Sequence, residues 1–500
     1  MTIFNLSPEQ AMLWALVLPF ICAAVLPMAH KMPNFRETIT YTISILTAYL
    51  VYALILPNVW VGNRPELYLH EIMPGLEILF WIEPLGMIFA GVVTLLWPLA
   101  SLYSQGYMRC NNQKKQTLFA VSFALSIGSA LGIAFAGNLF TMFVFYEALT
   151  LATYPLVTHK GDEQARDGGR TYLGILMSTS IFFLMFAIIW TYLISGHGDF
   201  ALTVEFGSIL PDTVSPTMIG ILLFLFMFGI GKAALMPIHR WLPAAMVAPT
   251  PVSALLHAVA VVKAGVFCVV KVIVYVFGME RLQAVWTDDW LVFIAGASIL
   301  AASMIALRQD NLKKRLAYST VSQLSYVTMA AAIMTPIAII GAAVHIAAHA
   351  FGKITLFFAA GSIYTAAHKT NISQLDGIGR QMPWTMGAFT VGAMSMIGLP
   401  PMVGFVSKWF IIQGALSVSH YFALTVIFVS TLLNAAYFLP IIYAAFFKSA
   451  KLNSNCPALD NHGEAPITIV IALVATTILT VGLFLIPSIP LGLARQLVGA

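Results

Sequence analysis

Five ionisable side chains, Glu147, Lys232, Lys263, Lys353 and Lys408, sit in the middle of long apolar stretches of this chain. A charged residue at the centre of a membrane helix costs about 2.5–3.5 kcal/mol on insertion scales, so five of them cost on the order of 12–18 kcal/mol. That sum is comparable to the net stability of a whole domain. Such groups are tolerated where they face a wet or mutually paired interior, and interiors of that kind are ion or proton paths. A proton path needs groups that gain and lose a proton near working pH. Burial disfavours the charged form of lysine and carboxylate alike, which brings both toward neutrality, whereas arginine stays protonated. The buried cations here are all lysines, and arginine is confined to the loops.

Glu147 lies in LFTMFVFYEALTLATYPLV and Lys232 in FLFMFGIGKAALMP. Opposite charges make each other's ionised form cheaper, so the two are natural partners if their helices touch. The alternative is a static ion pair that fixes packing. His257 precedes Lys263 by six residues, about 9 Å of helical rise, a gap that one or two waters bridge; alone, His257 reads as a core histidine. In GAAVHIAAHAFGKITLFF, His345, His349 and Lys353 recur at i, i+4 and i+8. That spacing puts all three on one helix face, about 6 Å apart along the axis. A metal shared by the two histidines is disfavoured, because the glutamate of HExxH and any nearby carboxylate are missing. A proton wire is the better reading. Lys408 follows a helix break in GLPPMVGFVSKWF, a position suited to exchange with one bulk phase, with snorkelling to the interface as the alternative. Lys271, near the end of its span, is expected to snorkel. His239, just past an earlier break, connects Lys232 to solvent or caps the broken helix.

The elements that position these groups are membrane helices. Of the 500 residues, 60% are hydrophobic and 9% charged, with mean hydropathy +0.88, against about 25% charged residues in a soluble protein. The fold class is therefore an all-α polytopic membrane protein. Windows of about 20 residues place fourteen spans near 11–29, 38–57, 82–104, 118–136, 138–158, 170–195, 216–237, 251–277, 290–307, 316–335, 337–366, 384–412, 421–446 and 466–487. The first span opens without a basic leader region, so no cleaved signal peptide is expected.

Loop charges test the count. Loops after odd-numbered spans hold Lys31 and Arg36; Arg109, Lys114 and Lys115; Lys160, Arg166 and Arg170; Arg240; Arg308, Lys313, Lys314 and Arg315; Lys369 and Arg380; and Lys448 and Lys451. The opposite side has Arg64, Arg281 and Arg495. This split of 17 to 3 places the basic loops in the cytoplasm and both termini on the non-cytoplasmic side of the cell membrane. The longest polar connections, roughly 58–77, 196–215 and 447–465, are short loops. Span seven is broken at Pro237 and span twelve at Gly398-Leu399-Pro400-Pro401. Broken helices at membrane depth line buried or watered cavities, and both breaks adjoin a buried lysine; a Pro kink with only a packing role is the plain alternative.

Other chemistries are excluded by what the residues are. Cys22, Cys110, Cys268 and Cys456 are isolated, with no CxxC, and read as packing residues. The basic residues are scattered, so no nucleic-acid role is expected. GIGK at 229–232 lacks the upstream Gly and the following Ser or Thr of a P-loop, and no strand–GxGxxG–helix unit is present. No metal or cofactor is expected, and energy must come from an ion gradient or a partner.

The chain resembles the antiporter-like membrane subunits shared by respiratory complex I and the Mrp-type multisubunit cation/proton antiporters, most of all the Mrp D subunit. The resemblance rests on FVFYEALTLATYPLV, GKAALMPIHRWLPAAMVAPTPVSALLHAVAVVKAGVF, LKKRLAYSTVSQLSYV, HIAAHAFGKITLFFAAGSI and MIGLPPMVGFVSKW. It implies a three-helix segment (1–117), two inverted five-helix repeats (118–277 and 290–446) and a C-terminal span with a short tail (466–500). It also implies a charge pair between Glu147 and Lys232, continued across the membrane plane by Lys263, His345, His349 and Lys408. His257 and Lys353 match the family's segments as well. Lys408 stands where some relatives carry Glu, and Arg170 where many carry Lys, which argues against proton handling by Arg170. The chain ends soon after the last span, so it is expected to lack the extra spans of the large Mrp subunit and the lateral helix of the largest subunit of complex I. The implied function is proton translocation within a multisubunit monovalent cation (sodium)/proton antiporter, with other membrane subunits, monovalent cations, protons and the lipid bilayer as partners. With no carboxylate cluster in the spans, sodium is expected to pass through a neighbouring subunit. The alternatives are a pumping subunit of a complex I or membrane-bound hydrogenase type redox complex and, from a different class, a non-transporting scaffold of an uptake complex.

Overall fold

Two helices form the axis of the bundle. The membrane window of Thr250–Phe277 (span eight) is 100% buried and that of Pro336–Ala367 (span eleven) 94%, against 28% for Glu163–Ser195 and Ile467–Leu485 (spans six and fourteen). Lipid-facing helices show their apolar residues outward; the two central ones are enclosed on every side. Span eleven has 32 residues, about 48 Å at 1.5 Å per residue, well beyond the roughly 30 Å of hydrocarbon. It packs against spans three, eight, ten, twelve and fourteen, so it is the element on which the rest is assembled. The computed structural model describes residues 6–73, 76–200, 208–284, 289–449 and 463–499; Lys451 and Cys456 lie outside the described residues.

The chain is an all-α multi-pass membrane protein. Among the described residues, eleven helices are long and apolar enough to cross a bilayer. Besides the four just named, these are Pro8–Ala29, Pro33–Trp60, Pro84–Cys110, Gln116–Phe135, Leu139–Val157, Asp289–Arg308 and Tyr421–Phe447. The three remaining spans fall short for physical reasons. Span seven is Pro216–Gly229, which breaks into short turns from Gly231 to Val247, and span twelve is split into Pro383–Ile397 and Val403–Ser417. Span ten, Leu312–Ala332, is a continuous helix made polar by Ser319, Ser322, Gln323 and Ser325. Caps set several boundaries: the side chains of Asn138, Asp162, Ser215, Asn311 and Thr335 accept from backbone amides in the first turns of their helices.

The connection read as a polar loop over 58–77 carries an antiparallel hairpin, β1 (Glu66–Met73) and β2 (Leu76–Trp81), whose second strand leads into span three. Under this hairpin the structure corrects the reading of Lys271. Its side chain is fully buried and pairs with Glu83 at 3.4 Å. Lys271 Nζ also donates to Ala136 O at 2.7 Å, and Tyr275 OH donates to Glu83 Oε2 at 3.1 Å. The Phe200 ring lies 4.7 Å from the ammonium. Snorkelling needs an open way to the headgroups, and here aromatic rings cover it. Glu83 meanwhile caps span three, accepting from Leu85 N at 2.5 Å and Gly86 N at 2.9 Å, so the Glu83–Lys271 pair ties together one end of spans three, four and eight.

Removing one member of a buried pair strands the other at a cost of about 3–5 kcal/mol. Lys271→Met is therefore expected to lower the unfolding temperature of the purified protein sharply, and Lys271→Met with Glu83→Gln to recover part of the loss; thermal unfolding in detergent measures both.

Candidate functional site: a buried row of lysines and histidines

On span five, Tyr146, Thr150 and Thr153 line one buried face. Span seven ends at Gly229 and turns through a 3-10 segment, Gly231–Ala233, which carries Lys232 into that face. Lys232 Nζ donates to Tyr146 O at 2.8 Å and Thr150 Oγ1 at 2.6 Å, and lies 3.1 Å from the centre of the Tyr146 ring. Trp241 Nε1 donates to Gly231 O at 3.0 Å, satisfying a carbonyl that the break freed. The direct contact expected between Glu147 and Lys232 is not made. One residue along a helix turns the side chain by about 100°, so Tyr146 and Thr150 meet the ammonium while Glu147 points beside them. Both Glu147 carboxylate oxygens are buried without a hydrogen-bond partner.

Span eight runs past this break so closely that a Cβ on Gly265 would collide with the backbone of Lys232 and Ala233. Two residues earlier, Lys263 Nζ is hydrogen-bonded to His349 Nδ1 of span eleven. The partner expected on its own helix, His257, sits within a π-helical turn (Leu255–Val259), and the chain bends between it and Lys263 at Ala260, φ −114°, ψ −70°. His257 is fully buried, its ring 4.8 Å from that of Phe357, and neither ring nitrogen has a partner. Wide turns of this type cluster at functional sites.

The His345 and His349 rings stack with centroids 6.1 Å apart. His345 Nδ1 lies 2.8 Å from Ser407 Oγ, and Ser407 precedes Lys408 in the second half of span twelve. Lys408 Nζ donates to Met396 O at 3.0 Å and Ile397 O at 2.9 Å, the last carbonyls of the first half. A cation at a helix C-terminus is favoured by the unpaired carbonyls and the dipole, so Lys408 is buried and held rather than snorkelling. Lys353 shares the histidines' helix but turns to span ten, donating to Leu316 O at 3.2 Å and Ser319 Oγ at 2.7 Å. His239 sits half-buried in the turn Ile238–Arg240, its ring 6.2 Å from that of Tyr318. Hydrogen bonds thus join Lys263 to His349 and His345 to Ser407, with the two histidine rings stacked between them and Lys408 next to Ser407 in the chain; Lys232 lies against the backbone of span eight and Lys353 to one side.

The family model described as "NADH:quinone oxidoreductase/Mrp antiporter, TM" matches residues 136–434, more than half of the chain. The chain belongs to this family. It is 33% identical over 402 residues to NADH-quinone oxidoreductase subunit N of Desulforudis audaxviator, covering 79% of this chain and 78% of that one. It is also 33% identical over 369 residues to a probable K(+)/H(+) antiporter protein of Rhizobium meliloti, 73% of this chain but only 36% of that protein. Among solved structures, a chain of the Mrp complex from Dietzia superposes with a TM-score of 0.86 at 20% identity, covering 100% of this chain and 97% of that one. The protein is thus an antiporter-like membrane subunit of the kind common to the quinone oxidoreductases and the Mrp antiporters.

Several polar residues of this family member escaped the reading by charge: Ser407, Ser319, Asn434, Tyr437 and Gln323, the last buried with both amide atoms unpartnered. The signal was present in LKKRLAYSTVSQLSYV, where hydroxyl and amide residues crowd a span that should be apolar. The unpartnered atoms of Glu147, His257, Gln323, His345 Nε2 and His349 Nε2 follow the row, and buried groups of this kind are satisfied by internal water. On the basic-loop face, a cavity of about 600 Å³ lined by Lys160, Lys313, Lys314 and Lys369 reaches Thr250, the first residue of span eight.

Chemically, Lys263–His349 and His345–Ser407 are each a hydrogen bond between groups that can give and take a proton. The geometry of the row depends on close backbone approach at both breaks: a Cβ on Gly404 would strike the Ser395 carbonyl just as one on Gly265 would strike Lys232. A misplacement on the order of 1 Å can cost on the order of 10²-fold in rate. Gly265→Ala and Gly404→Ala are therefore expected to cut proton-coupled transport on that scale while the complex still assembles, as read by transport in vesicles beside native-gel assembly.

Proposed function

We propose that this chain is the proton-translocating subunit of a multisubunit monovalent cation/proton antiporter of the Mrp type, exchanging sodium for protons across the cell membrane. The observation that carries the reading is the pair of hydrogen bonds Lys263–His349 and His345–Ser407, bridged by the stacked rings of the two histidines and ending at the residue before Lys408, between two helix breaks that each hold a lysine. The two five-helix units, 118–277 and 290–446, act as half-paths: the first joins the basic-face cavity to His257 and Lys263, the second leads from His345 to Lys408. Glu147 beside Lys232 biases the first unit, and loss of a proton at one end changes the charge felt by the next base. Four buried lysines line the row and repel a metal cation while passing protons, so sodium crosses through a partner subunit. His239 is an accessory group near the first break.

A second reading is a pumping subunit of a redox complex. It is favoured by the 33% identity to a quinone oxidoreductase subunit over nearly four-fifths of both chains. The chemistry of the row is the same in both; the source of energy differs.

Sodium-driven pH change in vesicles carrying the whole complex is expected to be abolished by Lys408→Ala and reduced by Glu147→Gln with assembly intact. Assembly with undiminished exchange in both variants would point to the scaffold role instead. The orientation is tested separately: a cysteine replacing Arg64 should react with an impermeant maleimide in intact cells, and one replacing Lys114 only after permeabilisation.

A further inference from the structure

Lys353 is not left at the side of the row. Its ammonium bonds Ser319 Oγ at 2.7 Å, and Ser319 Oγ lies 2.9 Å from Tyr437 OH. Tyr437 OH in turn is hydrogen-bonded to Asn434 Oδ1. Asn434 Nδ2 then donates to Met396 O at 3.4 Å, the same carbonyl that accepts from Lys408 at 3.0 Å. Ser319, Asn434 and Tyr437 are all fully buried. Asn434 and Tyr437 belong, with Ser430, to a polar stripe at i, i+4 and i+7 on span thirteen, which otherwise faces lipid with apolar residues.

The hydrogens can be placed. Each hydroxyl has one proton to give. Asn434 Oδ1 can only accept, so it takes the Tyr437 proton; the Ser319–Tyr437 bond is then donated by Ser319, whose lone pair accepts from the charged Lys353. The Asn434 amide cannot turn over, because its oxygen would then face the Met396 carbonyl. The chain therefore has one direction while Lys353 is charged. When Lys353 loses its proton, its nitrogen keeps two N–H bonds, one of them for Leu316 O, and gains a lone pair; with Ser319 donating to that lone pair, Tyr437 turns to Ser319 and Asn434 Oδ1 loses its donor. The charged and titratable groups around this chain are Lys353 and His349 on span eleven, His257 and Lys263 on span eight, which also feel the charge of Lys353, Arg315 on span ten, whose Nη1 donates to Tyr437 O at 2.9 Å, Lys408 on span twelve, and Tyr326, whose ring lies 5.0 Å from Lys408 Nζ.

We propose that Ser319, Tyr437 and Asn434 form a hydrogen-bond relay that reports the protonation state of Lys353 to the carbonyl cradle of Lys408, in parallel with the histidine route through Ser407. Tyr437 is a positioning residue: it carries orientation, and no proton needs to cross the amide. The relay rests on the proposed transport role of Lys408.

The test uses the whole complex in vesicles and measures sodium-driven exchange across a pH series. Tyr437→Phe removes only the hydroxyl and is expected to lower exchange about tenfold, the factor carried by one hydrogen bond of ordinary net strength. The optimum should also move to lower pH, because charged Lys353 is less well held. Ser319→Ala should copy both effects and Ser319→Thr should restore them. Wild-type rate and optimum in Tyr437→Phe and Ser319→Ala, alongside loss of exchange in Lys408→Ala, would overturn the relay alone. Undiminished exchange in Lys408→Ala as well would overturn the transport reading beneath it. A lowered unfolding temperature with an unmoved pH optimum would assign Tyr437 a packing role and reject the relay.

Discussion

A lysine ammonium inside a bilayer needs oxygen atoms around it, and a regular helix offers few, because each of its carbonyls already accepts from the next turn and has one lone pair left. Much of this structure answers that constraint. Span twelve stops for a few residues and offers Met396 O and Ile397 O to Lys408. Span seven stops at Gly229 and delivers Lys232 to Tyr146 O and Thr150 Oγ1 of its neighbour. Where no break is available, the same need is met by a polar span, as Leu316 O and Ser319 Oγ do for Lys353. Helix breaks, glycines packed against them and the serine-rich tenth span are one solution in three forms.

The spans were legible in the sequence because hydropathy and the sidedness of basic loops are properties of composition, and the helices fall where the windows placed them. The lysines and histidines were legible because charge in an apolar run is conspicuous. What stayed hidden was who touches whom. Tyr146 and Thr150 hold Lys232 where a pairing by charge alone would choose Glu147, since helical phase, about 100° per residue, decides which neighbour faces the break. Asn434 and Tyr437 carry no charge and are diluted by the apolar residues of span thirteen, while Ser319 sits in a visibly polar span that does not say which hydroxyl meets Lys353. Lys271 was misread because its partner Glu83 lies 188 positions away in sequence and the rings that seal it come from separate segments.

The outer pair of Glu83 and Lys271 differs from the inner row in one respect. Its carboxylate is fully partnered by an ammonium, a phenol and two backbone amides, whereas the Glu147 oxygens have no hydrogen-bond partner within the protein. A fully satisfied buried carboxylate fixes structure; one without partners still has lone pairs to offer internal water or a neighbouring donor. The two carboxylates thus illustrate how one residue type serves as anchor or as open acceptor according to its hydrogen bonds.

Span eleven carries His345, His349 and Lys353 on a continuous α-helix that is enclosed along nearly its whole length. The separations among these three groups are therefore fixed by backbone geometry and cannot be adjusted by sliding or bending. Motion during transport is left to side-chain rotation, to internal water and to the two interrupted helices at either end. Distance along the middle of the row is set by an unbroken helix, and the interruptions in helical hydrogen bonding stand at its ends.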